Sequence, residues 1–345
     1  MTNISAEKPI IRLSLPSKGR LCDDSLELLS ACGLKVYKPN PRQYEARIPS
    51  LPDLVILFQR PGDIVASVSD GSVEFGITGL DILEEKREHG NQILILHDDL
   101  KFGGCALSLA VPEEWQDVHS IETLKARAKA MPQPLRVATK FTNLTARYLD
   151  RLGIKYDIIS AEGTLETAPT IGYADMISDL VSSGQTLRDN RLRPLEDGVI
   201  LRSQAVLVGN RQSLQENPLA LSIARQLLEY IEAYLRATEN LAIFANMRGS
   251  SPETIANRIF EQCSITGLQG PTISRVIVRE QDPNWYAVNI IVPRNELVRT
   301  IGELRTIGGS GVVVMPVNYI FDEEPPRYAA MLKALGMEIN QETGV

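Results

Sequence analysis

The stretch Ile10 to Gly33, I-I-R-L-S-L-P-S-K-G-R-L-C-D-D-S-L-E-L-L-S-A-C-G, decides the fold class. Ile10 to Leu15 predicts a strand. Pro16 to Arg20 is a glycine-bearing loop. Leu21 to Cys32 then places Leu21, Leu26, Leu28 and Leu29 on one helical face, with Gly33 as the stop. Asp23 and Asp24 suit the positive end of that helix. Strand, glycine loop and helix in this order form the α/β unit that holds anions at the carboxyl end of a strand. Lys18 and Arg20 add positive charge to the loop, although a basic turn of this kind can equally be a solvated one.

Outward from this unit the alternation continues. Asp53 to Phe58 (D-L-V-I-L-F) reads as a buried strand, and Gln59 to Asp63 opens a helix with Pro61 near its first turn. Phe75 to Gly79, Gln92 to Leu96, Gly104 to Val111, Leu135 to Thr139, Tyr156 to Ser160 and Val199 to Val208 are further strands. Asp81 to Glu88, Ser120 to Lys129, Leu144 to Leu152 (capped by Thr142 or Asn143) and Pro218 to Thr238 are helices. Lys101 to Cys105 (K-F-G-G-C) looks like a crossover. The expected organisation is a first lobe over residues 1–103 with a return segment 196–240, and a second lobe over 104–195. Two crossings between them leave a cleft. From Leu241 the pattern becomes βαββαβ, a ferredoxin-like domain over 241–321, followed by an extension, 322–345, with a short helix.

The chemistry is expected in Glu166 to Asn190, E-T-A-P-T-I-G-Y-A-D-M-I-S-D-L-V-S-S-G-Q-T-L-R-D-N. Ala174, Ile177, Leu180 and Val181 fall at helical spacing, which would put Asp175 and Asp179 on one face of a helix. Ser182-Ser183-Gly184-Gln185-Thr186 gathers three hydroxyls around a glycine that can bring backbone N–H groups close to an anion. Carboxylates beside a phosphate cradle suit a ligand with a phosphate at one end and hydroxyls or Mg2+ at the other, as in a phosphorylated ribose. An amphipathic helix ending at an ordinary turn would explain the acids alone, but not their coincidence with the glycine and hydroxyls.

Composition narrows the partners. The chain has 345 residues, 43% hydrophobic and 23% charged, with a net charge of -7. The acidic balance argues against general nucleic-acid binding and directs attention to local clusters of Lys and Arg. No apolar run reaches membrane-spanning length, and the polar start from Met1 to Pro9 has no signal-peptide character, so a cytoplasmic location is expected. That same start disfavours a transport-type solute receptor. Cys22, Cys32, Cys105 and Cys263 form no C-x-x-C pair, and His89, His97 and His119 show no metal-ligand spacing. No protein metal site is expected.

The motif E-x5-G-x-A-x-x-I-x-D-L-x-x-S-G-x-T-L, Glu166 to Leu187, resembles the signature of the ATP phosphoribosyltransferase family. The resemblance extends to S-K-G-R-L (Ser17 to Leu21), R-P-G-D-I (Arg60 to Ile64), F-G-I-T-G (Phe75 to Gly79), F-G-G-C-A-L (Phe102 to Leu107) and R-V-A-T-K-F-T-N-L-T (Arg136 to Thr145). These follow the family's order over roughly the first 210 residues, to Asn210. The third domain resembles the ACT-type module of the family's long form, with a looser match at Gly270 to Ser274.

The resemblance implies a body like that of periplasmic binding proteins, two lobes joined by two crossings. It also implies joining of ATP, through N1 of its adenine, to 5-phosphoribosyl 1-pyrophosphate, with Mg2+ held mainly by the substrates. Such a displacement at an anomeric carbon needs orientation and charge stabilisation rather than a protein nucleophile. Carried over by position, Ser182, Ser183, Gly184, Gln185 and Thr186 take the ribose 5-phosphate. Asp179 takes the ribose hydroxyls or their Mg2+, while Asp175 acts beside it or only braces. Lys18 takes the pyrophosphate, and Arg20 and Arg60 take the ATP phosphates or the diphosphate. Arg60 has an alternative as a helix-end partner of Asp63. Lys140 reads as a surface residue, Glu166 as an orienter of the loop, and Thr78-Gly79 as either a backbone contact or a plain strand end. Asn246 and Thr272 fall where family members contact histidine as an inhibitor. Asn246 stands where an acid is often found, which leaves inhibition open. A homo-oligomer, dimer or hexamer, is implied. The competing reading is a non-catalytic regulatory subunit that binds phosphoribosyl compounds.

Overall fold

The computed structural model describes residues 10–40, 42–87, 91–161, 163, 165–264, 267–268, 270–278 and 284–338. The expected helix end at Glu88, the expected strand end at Arg279, His89, and the segments 1–9 and 339–345 lie outside the described residues.

The first lobe opens as read. Strand β1 (Ile11–Pro16) runs into helix α1 (Arg20–Ala31), followed by β2 (Glu45–Ile48), β3 (Leu51–Gln59), α2 (Pro61–Ser69), β4 (Phe75–Gly79), α3 (Leu80–Lys86) and β5 (Ile93–His97). Strand β1 lies parallel to both β3 and β4, so the loops after all three leave from the same sheet edge. The first crossing leads to the second lobe: β6 (Cys105–Pro112), α4 (Ile121–Ala130), β7 (Leu135–Thr139), α5 (Thr142–Leu152), β8 (Tyr156–Ser160), β9 (Met176–Val181), α6 (Gln185–Asp189) and β10 (Leu192–Ser203). Gln204 is the second crossing. Strand β11 (Ala205–Asn210) then inserts antiparallel between β4 and β5. The two sheets have the orders β2-β3-β1-β4-β11-β5 and β10-β6-β9-β7-β8. Helices α7 (Arg211–Glu216) and α8 (Pro218–Thr238) follow.

Three expectations change. Asp175 to Val181 is not helical, because β9 pairs antiparallel with β6 and parallel with β7. Ladders on both sides hold the first half of a short run containing Ile and Val, and the helical spacing of so few apolar residues cannot compete. Asp175 lies just before β9 and Asp179 within it, so the two acids are no longer placed on one face by a helical turn. The single strand expected from Val199 to Val208 is two strands in different sheets, and β10 stays with the second lobe beyond the expected boundary at Leu195. Neither Thr142 nor Asn143 caps α5: its N-cap is Phe141, with no capping side chain of its own.

A separate compact unit spans Glu229–Pro325. It contains β12 (Asn240–Arg248), α9 (Pro252–Gln262), β13 (Thr272–Arg275), β14 (Trp285–Pro293), α10 (Leu297–Thr306) and β15 (Ser310–Pro316), in the expected βαββαβ order. The sheet order is β13-β14-β12-β15. Tyr286, Val288, Ile290 and Val292 of β14 pack with Ile255 and Ile259 of α9 and Leu304 of α10. The extension forms α11 (Pro326–Leu335), which belongs to the unit of the two lobes.

Candidate active site

The carboxyl edges of the parallel strands carry nearly all of the expected residues. In the second lobe, β9 ends at Val181 and the chain turns through Ser182, Ser183 and Gly184 into α6. Gly184 has φ +70°, the left-handed region, and a Cβ there would lie 3.1 Å from Arg188 Nη1. Buried Leu187 anchors the short helix against Ala110, Ala138, Ile177 and Leu192. Ser182, Ser183, Gln185 and Thr186 are therefore held at a fixed turn yet exposed. The Gln185 N–H donates to Ser183 Oγ at 3.3 Å. The Gln185 side chain is engaged within α6, donating to Asp189 at 2.6 Å and accepting from Arg188 at 3.0 Å. Arg188, not singled out in the sequence, also donates to the Ser183 carbonyl at 3.2 Å and so brings a guanidinium to the turn. Its only sequence signal was a basic residue two places after Thr186.

Asp179 stands on β9, half-buried, and accepts the Leu180 N–H at 2.7 Å. Burial pushes its carboxyl above the ordinary range. The Leu180 N–H and the charge of Lys140 oppose that shift, and Glu166 adds to it. The charges of Glu166 and Lys140 thus act on Asp179, while Lys140 is itself exposed, as the surface reading expects. Underneath, the Thr145 hydroxyl bridges Ser178 Oγ at 2.9 Å and Thr139 Oγ1 at 3.5 Å, and Thr139 Oγ1 accepts from the Phe141 N–H at 2.9 Å. These buried hydroxyls lock β9, β7 and α5 together beneath the loops. They were not recognised beforehand, since Ser and Thr within apolar runs carry no distinguishing pattern.

Asp175 is not part of this group. It sits before the start of β9 and accepts from the Arg136 guanidinium at 2.8 Å and from the Arg136 backbone N–H at 2.8 Å. The strand carries the two acids to opposite ends, so the pairing expected from a helix is not formed and Asp175 serves as a brace.

In the first lobe, the Ser17 N–H donates to the Gln59 carbonyl at 2.8 Å, joining the loops after β1 and β3. Lys18, Arg20 and Arg60 are exposed at that edge. Arg20 reaches Asp24 at 3.5 Å, and Arg60 is the N-cap of α2, where its carbonyl accepts from Asp63 and Ile64. Lys86 crosses the start of α2, because a Cβ on Gly62 would fall 2.7 Å from its Nζ. Thr78 and Gly79 are both buried. A Cβ on Gly79 would lie 2.3 Å from Asp81 Oδ1, and that same oxygen accepts from Ser203 at 2.6 Å. They build the turn into α3 beside the second crossing. A groove of about 1010 Å3 runs between the lobes, lined by Ile82, Lys86, Lys140, Phe141 and Arg147 among others.

Within the separate unit, Asn246 on β12 is opposite Ala287, and Thr272 on β13 is opposite Asn289. Thr272 lines a cavity of about 340 Å3 with Arg236, Gly270, Asn289, Phe321 and Asp322, and Asn246 is not among its walls. Arg236 is ion-paired with Asp322. The structure does not bring the two expected effector residues into one cavity.

Among the described residues no group of three or more His, Cys, Asp or Glu side chains could hold a metal ion. Cys22 and Cys32 are buried free thiols, and burial pushes Cys32 up to about 12. No described helix is long and apolar enough to cross a membrane.

A two-lobed α/β body with an anion turn and a half-buried carboxylate at its strand ends defines a protein that handles a phosphorylated small molecule. The comparisons narrow that class. The model of the family described as HisG, ATP phosphoribosyltransferase, matches residues 60–233, and that of the HisG C-terminal domain matches 237–319. The Arabidopsis thaliana protein named ATP phosphoribosyltransferase 1, chloroplastic, is 45% identical over 343 residues, 97% of this chain and 83% of its own length. The Methanococcus maripaludis ATP phosphoribosyltransferase is 32% identical over 311 residues, 90% of this chain and all of its own. A chain in the ATP phosphoribosyl transferase (HisG:HisZ) complex from Thermotoga maritima superposes with a TM-score of 0.51 at 26% identity, covering 65% of this chain and 99% of that one. The chain belongs to the ATP phosphoribosyltransferase family.

Proposed function

We propose that the protein transfers the 5-phosphoribosyl group of 5-phosphoribosyl 1-pyrophosphate to N1 of the adenine of ATP, releasing pyrophosphate, the first step of histidine biosynthesis. The observation that carries this is the Ser182–Thr186 turn, held by Gly184 in the left-handed region next to half-buried Asp179. The turn offers hydroxyls and backbone N–H groups to a terminal phosphate, and each charge-assisted bond there contributes on the order of 1.5–3 kcal/mol. Asp179 lies where the ribose hydroxyls follow. As positive charge develops on the sugar ring, its carboxylate is stabilised together with the transition state. Lys18, Arg20 and Arg60 take the diphosphate and the phosphates of ATP from the other lobe. Lys86 and Arg188 add to these two sets.

Mg2+ fits the donor set. Half-buried Asp179 offers one carboxylate to a hard cation that would take its other ligands from substrate oxygens and water. The ion would neutralise the leaving diphosphate.

The C-terminal unit is read as an ACT-type effector domain that binds histidine as an inhibitor and supports a homo-oligomer, and the location as cytoplasmic. Incubation with ATP, 5-phosphoribosyl 1-pyrophosphate and Mg2+ tests the catalytic reading. N1-phosphoribosyl-ATP is the expected product, and binding of both ligands without it would favour the regulatory subunit.

A further inference from the structure

The N-cap of helix α5 is Phe141, a buried residue that offers no side-chain capping oxygen. The acceptor comes from the other lobe. Glu85, half-buried on α3, accepts the Asn143 N–H at 2.9 Å, the Leu144 N–H at 2.9 Å and the Thr142 hydroxyl at 3.3 Å. Its carbonyl accepts from Asn143 Nδ2 at 3.1 Å, and the Glu84 carbonyl accepts from Arg147 at 2.8 Å. Ile82, also on α3, packs against Phe141, Leu144 and Leu107. Unpaired N–H groups and the helix dipole both favour a carboxylate at this end. The helix so held begins just after Lys140, and α3 also carries Lys86 to the start of α2 beside Arg60.

We propose that Glu85 is a positioning residue for the transfer: by closing the N-terminus of α5 from across the cleft, it fixes the angle between the lobes at which donor and acceptor meet. This rests on the functional reading above. The phosphate turn and Asp179 belong wholly to the second lobe, so capture of the ribose 5-phosphate part of the donor does not need Glu85, whereas the diphosphate reaches across to Lys18 of the first. Alignment of both ligands does need it.

The experiment compares Glu85→Ala and Glu85→Gln with the wild type by steady-state kinetics, by calorimetric binding of ribose 5-phosphate, taken as the donor affinity of the second lobe, and by the distance between spin labels placed at Lys35 and Lys155. Misplacement of the ligands predicts a kcat loss of about tenfold or more in Glu85→Ala. Donor affinity should move by less than about threefold, because the binding turn is untouched. The label distances should broaden, and Glu85→Gln, which keeps an acceptor, should recover part of the loss. A Glu85→Ala variant with wild-type kcat overturns the proposal. So does a donor affinity that falls in step with kcat, which would mean that the second lobe is merely weakened. If the wild type itself makes no phosphoribosyl-ATP, the functional reading fails, and unchanged label distances would separately refute the latch.

Discussion

In the proposed function, Thr186 and Asp179 serve one ligand in different ways. Thr186 is exposed on a turn fixed by Gly184, so its hydroxyl is poised for a phosphate at little cost to folding. Thr186→Ala should weaken binding of 5-phosphoribosyl 1-pyrophosphate by about 10- to 100-fold and leave ATP binding within about threefold, as calorimetry would show. Equal losses for both ligands would contradict the assignment. Asp179 is held at a cost, since burial raises its carboxyl above the ordinary value. The folded state therefore keeps a proton that the unfolded state has lost. Stability falls as pH rises between the unfolded and folded values, so above the ordinary carboxylate range the charged side chain carries a penalty. Asp179→Asn should raise the melting temperature of the ligand-free protein at pH 7 while lowering kcat by about 10²-fold. A variant that is both less stable and fully active would refute the role.

Elements decide where such residues meet. The β–loop–α units of the first lobe were legible in the sequence because glycine, proline and apolar runs mark their ends, and the loop residues followed with them. Strand β9 was not legible. Its pairing with β6 and β7 joins residues far apart in the chain, and those ladders outweigh a local spacing that also suits a helix. The same non-local logic hid Lys140 and Glu166, which reach Asp179 only once β9 lies beside β7. Strand β5 shows a further consequence. His97 at its end is 2% exposed, and burial, then Arg327, lower its pKa to about 4 from 6.5. It stays neutral when folded and takes up a proton when unfolded, so stability is complete above pH 6.5 and falls on acidification toward pH 4. Urea titrations should show a loss of about 2 kcal/mol between pH 7 and pH 5 from this group. His97→Gln should flatten that slope, and an unchanged slope would assign it elsewhere.

At the scale of the molecule, the chain leaves the two-lobed unit within α8 and returns at Pro326. Helix α11 buries Met331, Leu332 and Leu335, and Arg327 donates to Asp98 at 3.1 and 2.7 Å. Arg211 donates to the Ala334 carbonyl at 2.7 Å. Asp98 begins the first crossing, and its carbonyl accepts from Gln204 of the second at 2.8 Å. Helix α11 is thus part of the two-lobed body rather than an appendage of the C-terminal unit. Removal of 326–345 should lower the melting temperature by about 2–4 °C for each kcal/mol of lost burial, measured by calorimetry. An unchanged melting temperature would show that α11 contributes nothing to the fold. Truncation from Asn246 onward removes this helix as well as the effector domain, so any change it causes mixes the two.

By itself the sequence determined the alternating α/β class, the βαββαβ unit, the glycine turn before α6 and the basic loops, because each is written in local spacing and in residues with restricted or permissive backbones. Only the tertiary structure decided that Asp175 braces Arg136, that Asp179 sits with Glu166 and Lys140, that Glu85 caps a helix of the other lobe, and that the extension folds back on the first. These depend on which distant segments share a sheet or a cleft, and that is settled by burial and ladder pairing over the whole chain rather than by any run of neighbours.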